Sequence, residues 1–161
     1  MFATAQHRTP TMERSTLTME RPAPGVALGR RAACVMAAET GSVPALRRFA
    51  RRVVRSWALP AGIDEAVALI VTELAANAVR HSGSPDVAVL ISTDREAVTV
   101  EVKDRGQWCS ASAAEKLGGI TERVGGRGLT LVNAFSTGCV LWCGPDGTRA
   151  VAKVPLRSGT R

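Results

Sequence analysis

The chain has 161 residues, 45% hydrophobic and 22% charged, which suits one domain with a real core and little room for a second. No apolar run approaches the roughly 18 residues a membrane span needs, and no apolar leader marks a secretory signal, so a cytoplasmic protein without a membrane role is expected. The net charge of +7 is concentrated near the N-terminus, with five Arg against two Glu through Arg31, five Arg against one Glu from Ala32 to Ala58, and neutrality beyond. Any electrostatic partner preference belongs to that part.

Residues 1–27 mix Thr, Ser, Pro, Arg and Met without hydrophobic periodicity, which predicts a disordered tail ahead of a domain over 28–161. Met12 and Met19 are alternative starts that the sequence leaves open. Arg30 to Ala38 is short and apolar, a first strand, with helix as the alternative. Ser42 is suited to N-cap a helix that tolerates Pro44 in its first turn. Leu46, Ala50, Val53 and Trp57 form its apolar stripe, flanked by Phe49 and Val54, while Arg48, Arg51, Arg52 and Arg55 line the other face. That face is either a solvated surface or a docking surface for an acidic protein. Direct nucleic-acid binding is the weaker alternative, because no helix-turn-helix pattern or interleaved aromatic accompanies the arginines.

Leu59-Pro60-Ala61-Gly62 breaks the chain, and a long helix is predicted from Ile63 to His81, with Asp64 and Glu65 at its positive end. Its core stripe is Ile63, Val67, Ile70, Leu74 and Ala78. Glu73, Asn77 and His81 recur every four residues and so share one face. A carboxylate at the margin of an apolar stripe is costly without a partner or a task. Standing alone, the row reads first as a solvated stripe ending in a histidine favoured by the helix dipole, since such matches are common by accident.

Ser82 to Pro85 stops the helix. Val87, Val89 and Ile91 alternate, as do Val98, Val100 and Val102, predicting a hairpin that ends at Asp104. Gln107 to Val124 is small, polar and glycine-bearing, expected to be mostly a mobile loop with a short helix around Ala111 to Leu117. Gly125-Gly126-Arg127-Gly128-Leu129 opens a helix running to Phe135. Gly138 to Cys143 and Thr148 to Leu156 form a second hairpin across Pro145-Asp146-Gly147. The expected fold is α+β, a two-layer sandwich of a mixed, mostly antiparallel sheet with helices on one face. Cys34, Cys109, Cys139 and Cys143 fit no metal-binding spacing and are expected to be reduced.

The Glu73-x-x-x-Asn77-x-x-x-His81 row, then Asp104-Arg-Gly106, then the 125–129 glycine segment, resemble in order and spacing the GHKL ATP-binding family (Bergerat fold). More narrowly they resemble its anti-sigma-factor serine/threonine kinase branch, over roughly residues 30 to 156. The resemblance implies that Asp104 accepts a hydrogen bond from the adenine amino group, with Gly106 letting the backbone approach the base. It implies a phosphate site at Gly125, Gly126, Arg127, Gly128 and Leu129, where backbone N–H groups and the helix dipole favour an anion. Asn77 would ligate Mg²⁺ and Glu73 would act as general base. His81 is structural or phosphate-proximal, and Arg80 and Arg127 either stabilise phosphate charge or are simply exposed. Trp108 departs from the family pattern, which often has a second glycine there. The implied partners are a sigma factor and an anti-sigma antagonist carrying the accepting hydroxyl, and a homodimer is left open. The competing expectation is a nucleotide-responsive binding module without catalysis.

Overall fold

The computed structural model describes residues 29–106, 120–121 and 127–156. The predicted tail, the short helix near 111–117, Trp108, Cys109, Gly125 and Gly126 lie outside these residues. Six strands form one sheet in the order β1-β2-β3-β6-β5-β4. They are β1 (Arg30–Ala37), β2 (Asp86–Thr93), β3 (Ala97–Asp104), β4 (Ile120–Thr121), β5 (Cys139–Gly144) and β6 (Gly147–Pro155). Every described pairing is antiparallel. Strand β4 falls within the stretch expected to be a loop, where Ile120 pairs with Trp142 and Thr121 with Leu141.

Among the described residues three helices cover one face: α1 (Ser42–Ser56), α2 (Ile63–His81) and α3 (Arg127–Ala134). The period-two alternation sends Val87, Val89, Ile91, Val98, Val100, Val102, Ala150, Ala152 and Val154 inward, and all are buried. Opposite them, α2 buries its whole predicted stripe of Ile63, Val67, Ile70, Leu74 and Ala78. It also buries Ala66, Ala68, Val71, Ala75 and Ala76. Small residues on these flanks let α2 lie deep in the fold, with α1 on one side, the sheet beneath and α3 near its C-terminal half. Burial of a large aliphatic side chain stabilises by about 1.5–3 kcal/mol, so this helix anchors the domain.

Three local expectations change. Ser42 is the first helical residue rather than the cap; Gly41 holds that place, and Ser42 is buried with its N–H donating to the Glu39 carbonyl at 2.9 Å. In α1 it is Val54, not Val53, that is fully buried, because the core lies between the two rows of the stripe. Cys34 and Cys139 are free, and burial pushes the Cys139 thiol up to about 11. Cys143 is disulfide-bonded, so the expectation of reduced cysteines is corrected at that position.

The face of the sheet without helices carries a charged knot. Arg149 on β6 donates from Nε and Nη2 to the two carboxylate oxygens of Glu101 on β3, both at 2.9 Å, and Lys103 Nζ lies 2.8 Å from Glu101 Oε1. The Arg149 guanidinium stacks 5.0 Å from the centre of the Trp142 ring. Glu101 is only 7% exposed, yet Arg149 first, and Lys103 after it, hold its carboxyl below the usual range against the opposing effect of burial. A depressed folded-state pKa contributes stability above the unfolded value that is lost as pH falls through the folded value. Glu101→Gln is therefore expected to cost about 1–2 kcal/mol near pH 7, with the gap to wild type closing below about pH 4. Denaturant unfolding across pH checks this, and a gap that persists in acid contradicts it.

Candidate nucleotide site

Helix α2 begins after Gly62, whose φ of 86° is left-handed, and carries Asp64 and Glu65 in its first turn. Asp64 is tied to Arg55 of α1 at 2.7 Å, which lowers its pKa, and Arg51 lies 3.6 Å from Glu65. The start of α2 is thus fixed to α1, and its C-terminal half reaches the end of β3. There Glu73 and Asn77 are half-buried, one turn apart. His81, in the last turn, is exposed.

The first residues of α3 come directly against Glu73. A Cβ added to Gly128 would stand 2.5 Å from Glu73 Oε2. A side chain at this position would push the flexible end of Glu73 aside, so the glycine leaves room for the carboxylate where it stands. Arg127, the first residue of α3, is exposed, while Leu129 packs against the core. The N-terminal end of α3 and the Glu73 carboxylate thus share one edge.

Asp104 closes β3 and is 6% exposed. Its Oδ1 accepts from the Gly106 N–H at 2.9 Å, which folds the chain back on itself in a tight turn. Gly106 passes so close to the helix α2 C-terminus that a Cβ would overlap the Ser82 carbonyl. From the other side Gly147, at a φ of 124°, lies against the Asp104 carbonyl. Asp104 is paired across the ladder with Thr148, a 2% exposed residue whose hydroxyl donates to the Gly106 carbonyl at 3.2 Å.

Of the residues expected from sequence, Glu73 and Gly128 are in direct proximity, and Asp104 and Gly106 form one turn held against the end of α2. His81 is exposed beside this edge. Thr148, Ser82 and Ser84 were not expected at the site. Thr148 follows an ordinary turn, and only its register opposite Asp104 brings it there. A surface cleft of about 320 Å³ touches Asp104 from the helix-free face, lined by Asp86, Lys103, Arg105, Asp146 and Arg149. It takes in Gly147 and Thr148 as well as Asp104, but neither Glu73 nor Asn77.

The family model described as the histidine kinase-like ATPase domain matches residues 36–153. No curated protein sequence matches the chain. Among solved structures 17 chains match, including the crystal structure of the RsbU and RsbW domains of Rv1364c from Mycobacterium tuberculosis. That match has a TM-score of 0.60 at 19% identity and covers 77% of this chain and 32% of the other, so this chain spans about a third of its length. At that identity the likeness is one of fold. With the family model spanning strands β2 to β5, the three described helices and most of β6, the chain belongs to the histidine kinase-like ATPase domain family.

Proposed function

We propose that this protein is a bacterial regulatory ATP-binding protein of the anti-sigma type, a serine/threonine kinase that phosphorylates an anti-sigma antagonist and sequesters a sigma factor. The observation that carries the reading is the Glu73 carboxylate at the Gly128 start of α3, one turn before Asn77. A phosphate group at the helix start would be favoured by the dipole, and the carboxylate beside it is suited to proton transfer rather than to phosphate binding. In the transfer, a substrate hydroxyl oxygen forms the new bond to the γ-phosphorus as the bond to ADP breaks. Glu73 takes the hydroxyl proton.

Among the described residues no cluster of three His, Cys, Asp or Glu could enclose a metal. The donor chemistry fits Mg²⁺, which retains water and phosphate ligands and needs few from protein. Asn77 would supply its neutral amide oxygen there, and the ion would neutralise phosphate charge. His81, Arg127 and the 125–126 glycines would border the phosphates, and Asp104 would receive the adenine amino group. The fold match to an RsbW-containing structure supports this partner class. So does α1, where Arg47, Arg48 and Arg52 are exposed and make no salt bridge among the described residues, a surface suited to an acidic protein. A cytoplasmic setting belongs with this reading, and no described helix is long and apolar enough to cross a membrane.

Asp104→Asn is expected to leave the fold intact and to weaken ATP binding substantially, measured by calorimetric titration; unchanged affinity removes Asp104 from the base site. Glu73→Gln keeps size and hydrogen bonding, so ATP should still bind while transfer to an antagonist slows by about a hundred- to ten-thousand-fold. Asn77→Ala should instead weaken Mg²⁺-dependent ATP binding itself. Transfer from labelled ATP at the wild-type rate in Glu73→Gln would show this carboxylate to be structural, and ATP binding without transfer in wild type would favour the non-catalytic module. Gly128→Ala tests the contact between the two segments: the new methyl displaces the Glu73 carboxylate, so transfer should fall with little change in melting temperature.

A further inference from the structure

The segment joining α2 to β2 is built around one hydroxyl. Ser84 is 9% exposed, and its Oγ uses its full hydrogen-bonding capacity. It donates its single proton to the Asp86 carbonyl at 2.6 Å and accepts from the Asp86 N–H at 3.3 Å. Its remaining lone pair accepts from the Arg105 N–H at 3.0 Å, across 21 residues of sequence. The Ser84 N–H is in turn held by the Ser82 hydroxyl at 3.0 Å. Arg105 is the middle residue of the Asp104–Gly106 turn. The same turn is anchored on its exposed side by the Arg105 guanidinium on the two carboxylate oxygens of Asp86, and Gly106 rests on the Ser82 carbonyl. The end of the helix bearing Glu73 and Asn77 is thereby locked to the turn bearing Asp104.

We infer that Ser84 is a positioning residue for base selectivity: its hydroxyl, with the Arg105–Asp86 pair as a second tie, fixes where the Asp104–Gly106 turn presents the Asp104 carboxylate. This rests on the proposed ATP site. A carboxylate that accepts from an amino group discriminates adenine from guanine only if it is held in place, because a displaced acceptor loses its bond to one base without gaining one to the other. Ser84 itself touches no nucleotide in this reading and acts through Asp104.

The test measures ATP and GTP dissociation constants by titration for wild type, Ser84→Ala, Asp104→Asn and the double variant, with nucleotide-free melting as the control for folding. Ser84→Ala should weaken ATP about three- to tenfold, the range of one lost hydrogen bond, and leave GTP nearly unchanged. In the Asp104→Asn background the same substitution should alter neither constant, since coupled positions are non-additive. A folded Ser84→Ala protein with the wild-type ATP to GTP ratio overturns the inference, and so does an equal further loss in the Asp104→Asn background. If Ser84→Ala does not fold, Arg105→Ala, which releases the second tie from the solvent side, is measured instead; it should lower the ratio, and an unchanged ratio overturns the inference. A wild-type protein that binds neither nucleotide removes the ATP site itself, an outcome distinct from the others.

Discussion

The depth at which α2 lies in the fold constrains everything around it. A helix covered by α1, by the sheet and by α3 must be apolar or small on most of its circumference, and Val67, Ile70, Val71, Leu74, Ala75 and Ala78 are all essentially inaccessible. Polar side chains survive on such a helix only along an edge left open. Glu73 and Asn77 occupy that edge, half-buried. Their surroundings are therefore set by packing that cannot relax without opening the core. That rigidity is what a site requiring fixed geometry needs.

Two glycines turn this edge into a junction. At Gly128 the start of α3 comes against a carboxylate, and at Gly106 the turn after β3 rests on the carbonyl of Ser82. In neither case is the requirement a left-handed backbone; φ at these positions is not in the region that favours glycine. At Gly106 it is the absence of a side chain beside a backbone carbonyl that cannot move aside, and at Gly128 it is room for the end of the Glu73 side chain. Gly147 differs, since its positive φ and its proximity to Asp104 act together. The region around Asp104 is thus clasped from both sides, by the end of α2 and by the turn between β5 and β6.

The two faces of the sheet divide their tasks accordingly. The inner face is almost wholly apolar and positions α2. On the outer face the Glu101–Arg149–Lys103 group and the Trp142 ring tie β3, β6 and β5 together by charge and stacking. Since β3 and β6 carry Asp104 and Thr148 at their ends, a clamp across the outer face also steadies the strands that bear the candidate site.

Much of this was legible in the sequence, because local periodicity reports burial directly. The stripe from Ile63 to Ala78 and the alternating valines of β2 and β3 placed the elements and their inner faces. The spacing of Glu73, Asn77, Asp104 and Gly128 indicated a nucleotide-binding family. What local pattern cannot report is which distant segments meet. The pairing of Asp104 with Thr148 depends on strand register, and the bond from Arg105 to Ser84 on the path of a loop. Neither leaves a trace in neighbouring residues, since serine and threonine after a helix or a turn are ordinary there. The same holds for β4, two residues long, whose pairing with β5 only the sheet edge decides. Sequence by itself thus determined the elements, the core and the polar edge of α2, through the hydrophobic period of each segment. Tertiary structure alone decided that Gly128 abuts Glu73, that Gly106 abuts Ser82 and that the Ser84 hydroxyl holds the turn after β3, because those contacts arise from the folding together of chain segments far apart in sequence.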